Sequence, residues 1–219
     1  MSERILKALM QMFAIIAKVD GITSSSRAIV QSFLKQLLSN EQVEQYLKLF
    51  DEFLEAHHQI SKKKDGTQKR TSLNSVKVLK ICTQINAELE QKQKIVVLVR
   101  LIEFIHSSNQ ISEQELEFVQ TVAETFNVEN DEFKRIMAFV ESSENQFPDN
   151  QNILGVDNNK QSEFKHSRHI YSENINGQLR VLFVESVSMY IMMYYGNSDL
   201  LLNGQNISPG KVYILTAGS

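Results

Sequence analysis

The chain has 219 residues, 42% hydrophobic and 22% charged, which is the balance of a folded globular protein and excludes a disordered one. A net charge of −3 gives no bulk attraction to nucleic acid, and the single cysteine excludes an intrachain disulfide and suits a reducing compartment. The length accommodates one domain of ordinary size, or a domain with a small appendage.

The N-terminus imitates a secretion signal, with Arg4 ahead of an apolar run from Ile5 to Ala17. Lys7 and Gln11 interrupt the run, and no small-residue cleavage site follows. Ile5, Leu9, Met12, Phe13 and Ile16 recur at helical spacing and predict an amphipathic core helix. No window reaches the roughly 18 apolar residues of a membrane span. The best, Ile95 to Ile105, is broken by Arg100 and Glu103. Residues 1–146 contain no proline and only two glycines, Gly21 and Gly66, so long helices are expected. Apolar spacing predicts helices at about 3–19, 24–38, 41–58, 73–89, 91–107, 112–126 and 129–141. Ser39-Asn40 and Ser72 stand at predicted helix starts. Ser112 with Glu115 fits a capping box, in which each side chain satisfies the other residue's free backbone N–H. Leu116, Val119, Val122, Ala123 and Phe126 then form an apolar stripe. Cys82, among Val78, Leu79, Ile81 and Ile85, reads as a buried structural thiol.

Residues 9–50 align with residues 98–139 without a gap. Ile16 falls on Ile105, Ile22 on Ile111, Val30 on Val119, Gln31 on Gln120 and Phe50 on Phe139. Such a repeat predicts one helical domain built from two related halves, over residues 1–141.

Residues 142–162 are polar and Asn-rich and read as a linker or exposed loop. Beyond them the character turns to strand, over Phe164–Tyr171, Gln178–Val187, Met189–Tyr195, Leu200–Leu202 and Val212–Leu215. Asn176-Gly177 and Asn203-Gly204 are hairpin signals. Met189–Tyr195 reads as a strand buried on both sides or as a sticky face for a partner. Residues 163–219 are thus a small β-rich segment, and with only four residues after Leu215 the reading expects the natural chain to continue past Ser219.

Few residues carry chemistry. The junctions between the first two helices of each half hold Asp20-Gly21 and Asn109-Gln110, equivalent under the repeat. A short acidic turn of this kind can present oxygens to calcium or magnesium; it also reads simply as a turn, with Glu115 completing a cap. Lys62, Lys63, Lys64, Lys69 and Arg70 form a basic loop, read as a solvated segment or as a contact to anionic lipid. The five histidines, His57, His58, His106, His166 and His169, lack zinc spacing. No P-loop and no Gly-x-Ser-x-Gly elbow occurs, and no catalytic residue is assigned.

The pattern of apolar helix, Asp-Gly, Ile, Ser/Thr and an acid opening the next helix, read across two halves with Asn109-Gln110 in the second where the first has Asp20-Gly21, resembles the TerB family of tellurite-resistance-associated proteins. The resemblance implies a mainly α fold, a seven-helix bundle followed by the β-rich part. It also implies a divalent-cation site at Asp20, Asn109, Ser112 and Glu115, with Ser26 in the first half where Glu115 stands in the second. The layout further resembles the amino-terminal region of large ATP-binding-cassette proteins of the Bacteroidetes. The residues carrying this are Lys7-Ala8-Leu9-Met10 with Phe13-Ala14-Ile15-Ile16-Ala17, Thr71-Ser72-Leu73-Asn74-Ser75-Val76-Lys77-Val78-Leu79 with Gln91-Lys92-Gln93-Lys94, and Leu201-Leu202-Asn203-Gly204-Gln205. That likeness implies a non-catalytic regulatory or docking region of a transport ATPase. It would be cytoplasmic, at the inner membrane face, with protein partners and no nucleic acid. The alternative is a cation-binding sensor or stress-response module.

Overall fold

The computed structural model describes residues 3–17, 24–35, 38–62, 70–106, 111–161 and 164–215, with their side chains apart from those of 4, 24–26, 57–62 and 70–77. The chain forms two compact units, Met1–Asn130 and Asp131–Ser219.

The first unit holds α1 (Glu3–Ile16), α2 (Ser24–Lys35), α3 (Asn40–Lys62), α4 (Arg70–Glu88), α5 (Gln91–His106) and α6 (Glu113–Thr125). Helix α1 packs on α3, α4 and α5, while α2 packs on α3 and α5 and α6 on α4 and α5. Helix α5 is buried nearly all round from Ile95 on, and α1 is buried except along the stripe of Glu3, Lys7, Gln11 and Ile15. In α1, Ile5, Leu6, Leu9, Met10, Met12, Phe13 and Ile16 are inaccessible; in α5 so are Ile95 and Val97 through Ile102, then Phe104 and Ile105. A helix apolar on every side belongs at the centre of a domain. These two are equivalents under the repeat, since Leu9 aligns with Leu98 and Ile16 with Ile105. At the centre, Phe13 meets the edge of Phe33 at 5.9 Å and lies 5.4 Å from Phe104, which also meets Phe50 at 6.5 Å. One aromatic cluster thus joins α1, α2, α3 and α5, each ring pair contributing about 0.5–1.5 kcal/mol beyond its buried area.

Helix ends are closed by side chains. Gln42 Oε1 accepts from the Ser39 N–H, Gln93 Oε1 from the Glu90 N–H and Glu115 Oε2 from the Ser112 N–H. At the other end of α6, the amides of Asn86 and Gln91 donate to the carbonyls of Thr125 and Phe126. These are the orphan groups that every helix leaves at its termini. On α6 Val119, Val122, Ala123 and Phe126 of the expected stripe are buried, while Leu116 is 40% exposed and Glu115, turned back to cap the helix, is buried.

Cys82 has no exposed surface, and burial pushes its thiol up to about 12. The folded unit therefore favours the neutral thiol. Its contribution is fully present below the thiol's unfolded pKa of roughly 8.5 and is lost as pH rises from there toward the folded value. The native thiol should resist Ellman's reagent until urea unfolds the chain. The loss of stability between pH 9 and 11 should be smaller in Cys82→Val than in the unsubstituted chain, as read by urea melts.

The second unit runs from α7 (Asn130–Glu141) into a five-stranded sheet and a small hairpin. The strands are β1 (Ile153–Asp157), β2 (Arg168–Tyr171), β3 (Gly177–Val184), β4 (Met189–Gly196), β5 (Leu201–Leu202), β6 (Gln205–Asn206) and β7 (Tyr213–Leu215). The sheet order is β2-β1-β3-β4-β7, with β1 and β2 parallel and the other pairs antiparallel; β5 and β6 stand apart. One face carries Ile153, Leu182, Val184, Met189, Ile191 and Met193, all buried. On the other face Met192 and Tyr194 are covered by Ile207 with Leu200 and Leu202.

Three expectations need correction. The segment 142–162 is not a plain linker, because it contains β1, a strand inside the sheet. Its inward positions are Ile153, Gly155 and Asp157, of which only the first is apolar in the usual way. A Cβ at Gly155 would lie 3.3 Å from Phe147, whose ring stacks on Phe164 at 3.8 Å. Asn176-Gly177 is not a hairpin turn: Gly177 pairs with Gly196 at the open end of β3 and β4. It has φ +126°, and a Cβ there would sit 2.2 Å from the Tyr195 carbonyl oxygen. Strand β3 ends at Val184 rather than Val187, since Glu185–Val187 form a 3-10 turn closed by Ser188 in the left-handed region. Asn203-Gly204 does make the expected hairpin, with φ of 50° and 78° as a type I′ turn requires.

The interior of this unit is organised by Arg180, which is 1% exposed. Its Nη1 donates to Ser142 Oγ at 3.2 Å and to the carbonyls of Ser143 at 2.8 Å and Gln146 at 3.0 Å. Its Nη2 donates to the Glu144 carbonyl at 2.9 Å, and its Nε to Gln178 Oε1 at 2.7 Å. The rings of Phe147 and Tyr195 lie 5.0 and 4.5 Å from the guanidinium carbon. The Tyr195 hydroxyl donates to the Ser142 carbonyl. Three backbone carbonyls thus depend on one planar fork of donors, which lysine cannot reproduce. Arg180→Met should cost about 3 kcal/mol or more, because it leaves buried acceptors without donors. Arg180→Lys should recover little of that loss in urea denaturation followed by circular dichroism.

Candidate functional site

Of the four residues expected to hold a cation, Asp20 and Asn109 lie outside the described residues, as do residues 63–69 of the basic loop and the side chains of Lys62 and Arg70. Ser112 and Glu115 form a closed pair. Ser112 is the N-cap of α6, with extended backbone at φ −84° and ψ 154°. Its hydroxyl accepts from the Glu115 N–H at 3.3 Å and donates to Glu115 Oε2 at 2.8 Å. The same carboxylate oxygen accepts from the Ser112 N–H at 2.7 Å. The negative charge therefore sits at the positive end of the α6 dipole and is held there by its own turn. A hard cation takes six or more oxygens, and here two oxygens are engaged with each other. Among the described residues no group of three or more His, Cys, Asp or Glu is placed to hold a metal ion.

A second polar constellation lies in the β unit, on the Arg180 face of the sheet. His169 Nε2 is 2.9 Å from Asp157 Oδ1, and Gln178 Nε2 donates to Asp157 Oδ2 at 3.1 Å. Gln178 passes the chain on, since its Oε1 accepts from Arg180. Burial alone would raise the Asp157 carboxyl, but hydrogen bonds from Gln178, His169 and the Asn159 N–H outweigh it and hold the group below the usual carboxylate range. The path His169, Asp157, Gln178, Arg180 couples β2, β1 and β3 across one face. It ties a buried cation to a buried anion through a neutral amide.

Beside it, Asp149 accepts from the N–H groups of Lys165, His166 and Ser167, at 3.0, 3.1 and 2.7 Å. Desolvation is the largest single influence and raises this carboxyl, but the bonds from Ser167, Lys165 and His166 together outweigh it and hold the group well below the usual carboxylate range. Asp149 thereby fixes the approach to β2. Sequence reasoning missed Arg180, Gln178, Asp157 and Asp149. Strand parity was the signal for Arg180, since residues 180, 182 and 184 share a face and two of them are Leu182 and Val184.

The cap geometry has a measurable consequence. Glu115→Ala should lower stability by about 1 kcal/mol with no cation present, while Glu115→Gln, which can still reach the Ser112 N–H, should lose less. Urea melts in the presence of a chelator would read both.

Comparison with curated proteins gives no match, and comparison with solved structures gives none either. Residues 6–138 match the family described as tellurite resistance protein TerB. That span takes in α2 to α6 whole and most of α1 and α7, with both halves of the repeat. It is more than half of the chain, and the protein belongs to the TerB family.

Proposed function

We propose that this chain is a non-catalytic docking region of a larger ATP-binding-cassette transport ATPase, working through protein–protein contacts on the cytoplasmic side of a membrane. The observation that carries the reading is the apolar surface of the β unit. Of the large hydrophobic side chains that stand exposed among the described residues, Ile170 at 52%, Tyr171, Tyr190 at 47% and Leu201 at 66% all belong to this unit. Phe183, half-buried, lies 5.0 Å from Tyr190 on the same face of the sheet. Phe183 and Tyr190 form an apolar pair on the sheet surface, and a partner seated there would cover both. The TerB match supports an accessory role, and no described helix is long and apolar enough to cross a membrane.

A photocrosslinking amino acid at position 190, in cells making the natural protein, tests the reading. The expected result is a crosslink to a polypeptide segment that carries a P-loop ATPase. Crosslinks confined to small molecules or to unrelated abundant proteins would sink it.

A further inference from the structure

We propose that the open edge of β2 takes up an acidic, extended segment of a partner protein by strand addition. The proposal deepens the docking reading and rests on it. Strand β2 ends the sheet order. The Ser172 N–H donates to the Asp157 carbonyl at 2.7 Å, so the even-numbered residues of β2 turn their backbone groups toward β1. By the alternation of a strand, His169 and Tyr171 turn theirs outward. Their N–H and C=O groups form a short ladder with no strand beside it among the described residues. Such an edge is a template for another strand.

The side chains define what kind of strand. Ile170 on one face and Tyr171 on the other are 52% and 42% exposed, so an added strand gains an apolar neighbour on both faces. The charges around the edge are cationic in a chain whose net charge is −3. Lys165 and Arg168 are exposed, and the Lys160 ammonium lies 5.6 Å from the centre of the Tyr171 ring. The nearby acids are committed elsewhere: Asp149 to three backbone N–H groups and Asp157 to His169 and Gln178. Among the described residues around this edge, Glu173, two residues past the strand, is the exposed acid that remains. Edge strands are commonly guarded by lysine and arginine against pairing with copies of themselves. The same guard selects a partner of opposite charge, because like charges set side by side oppose pairing.

The test uses the full 219-residue chain and a short peptide alternating valine with glutamate. In the free chain, the amides of His169 and Tyr171 should exchange quickly while those of Ile170 and Ser172 are protected. The peptide should protect His169 and Tyr171, and added salt should weaken it. Tyr171→Pro removes an outward N–H and leaves the bonds to β1 in place, so it should weaken binding by about tenfold. The double variant Lys165→Glu, Arg168→Glu keeps the backbone and should weaken binding as strongly. Equal binding of a valine–lysine peptide, protection at other amides, or self-association of the chain through these same amides would overturn the proposal. A crosslink from position 190 to an ATPase segment, together with failure of the peptide, would leave the docking reading standing and remove strand addition alone.

Discussion

The carbonyls that follow the last turn of α7 have a common partner, the guanidinium of Arg180, and the β unit is organised around that dependence. A helix leaves its final C=O groups without donors, and a chain turning back over a sheet buries several more. Arginine answers the second need, because its fork reaches the Ser142 hydroxyl and the carbonyls of Ser143, Glu144 and Gln146 while its flat faces lie against Phe147 and Tyr195. Burying a cation is costly and pulls the guanidinium down from its usual range. The cost is offset by full hydrogen bonding and by the link through Gln178 to the Asp157 carboxylate. Gly155 follows from the same arrangement, since the ring pair of Phe147 and Phe164 needs the space a side chain would take.

The helical unit solves a different problem. Helix α5, apolar on almost every side from Ile95 on, and α1, open only along the stripe of Glu3, Lys7, Gln11 and Ile15, must be enclosed, and α2, α3, α4 and α6 pack around them. Duplication gives both central helices at one stroke, which is why α1 and α5 align while their surface residues differ. Arg100 is the exception within α5. It is 3% exposed and pairs with Glu103 at 2.5 Å, a charge held inside by its own helix one turn on.

Sequence made the helices legible to within a few residues, because apolar spacing is a strong signal and the first 146 residues hold no proline to confuse it. The Ser112 and Glu115 cap was legible for the same kind of reason, as a local pattern with a local cause. What escaped was set by distant partners. Strand β1 hid behind a glycine and an aspartate whose inward positions make sense only beside Phe147 and His169. Asn176-Gly177 looked like a turn because a glycine at positive φ serves equally in a turn and where two backbones nearly touch. Of the proposed cation site, Ser112 and Glu115 could be followed into the fold, where their first role is to hold each other.

The parallel pairing of β1 and β2 also bears on how relatives of this chain can differ. The ten residues between them, 158–167, make a shorter return than parallel strands usually require. The register of β2 is set at the end of this return, where Asp149 grips three successive N–H groups. Residues 158–161 carry no such constraint on the register and stand exposed. Insertions and deletions are therefore tolerated there, while the spacing from Lys165 to Tyr171 is fixed. Length variation among homologues should fall on one side of the clip and spare the other.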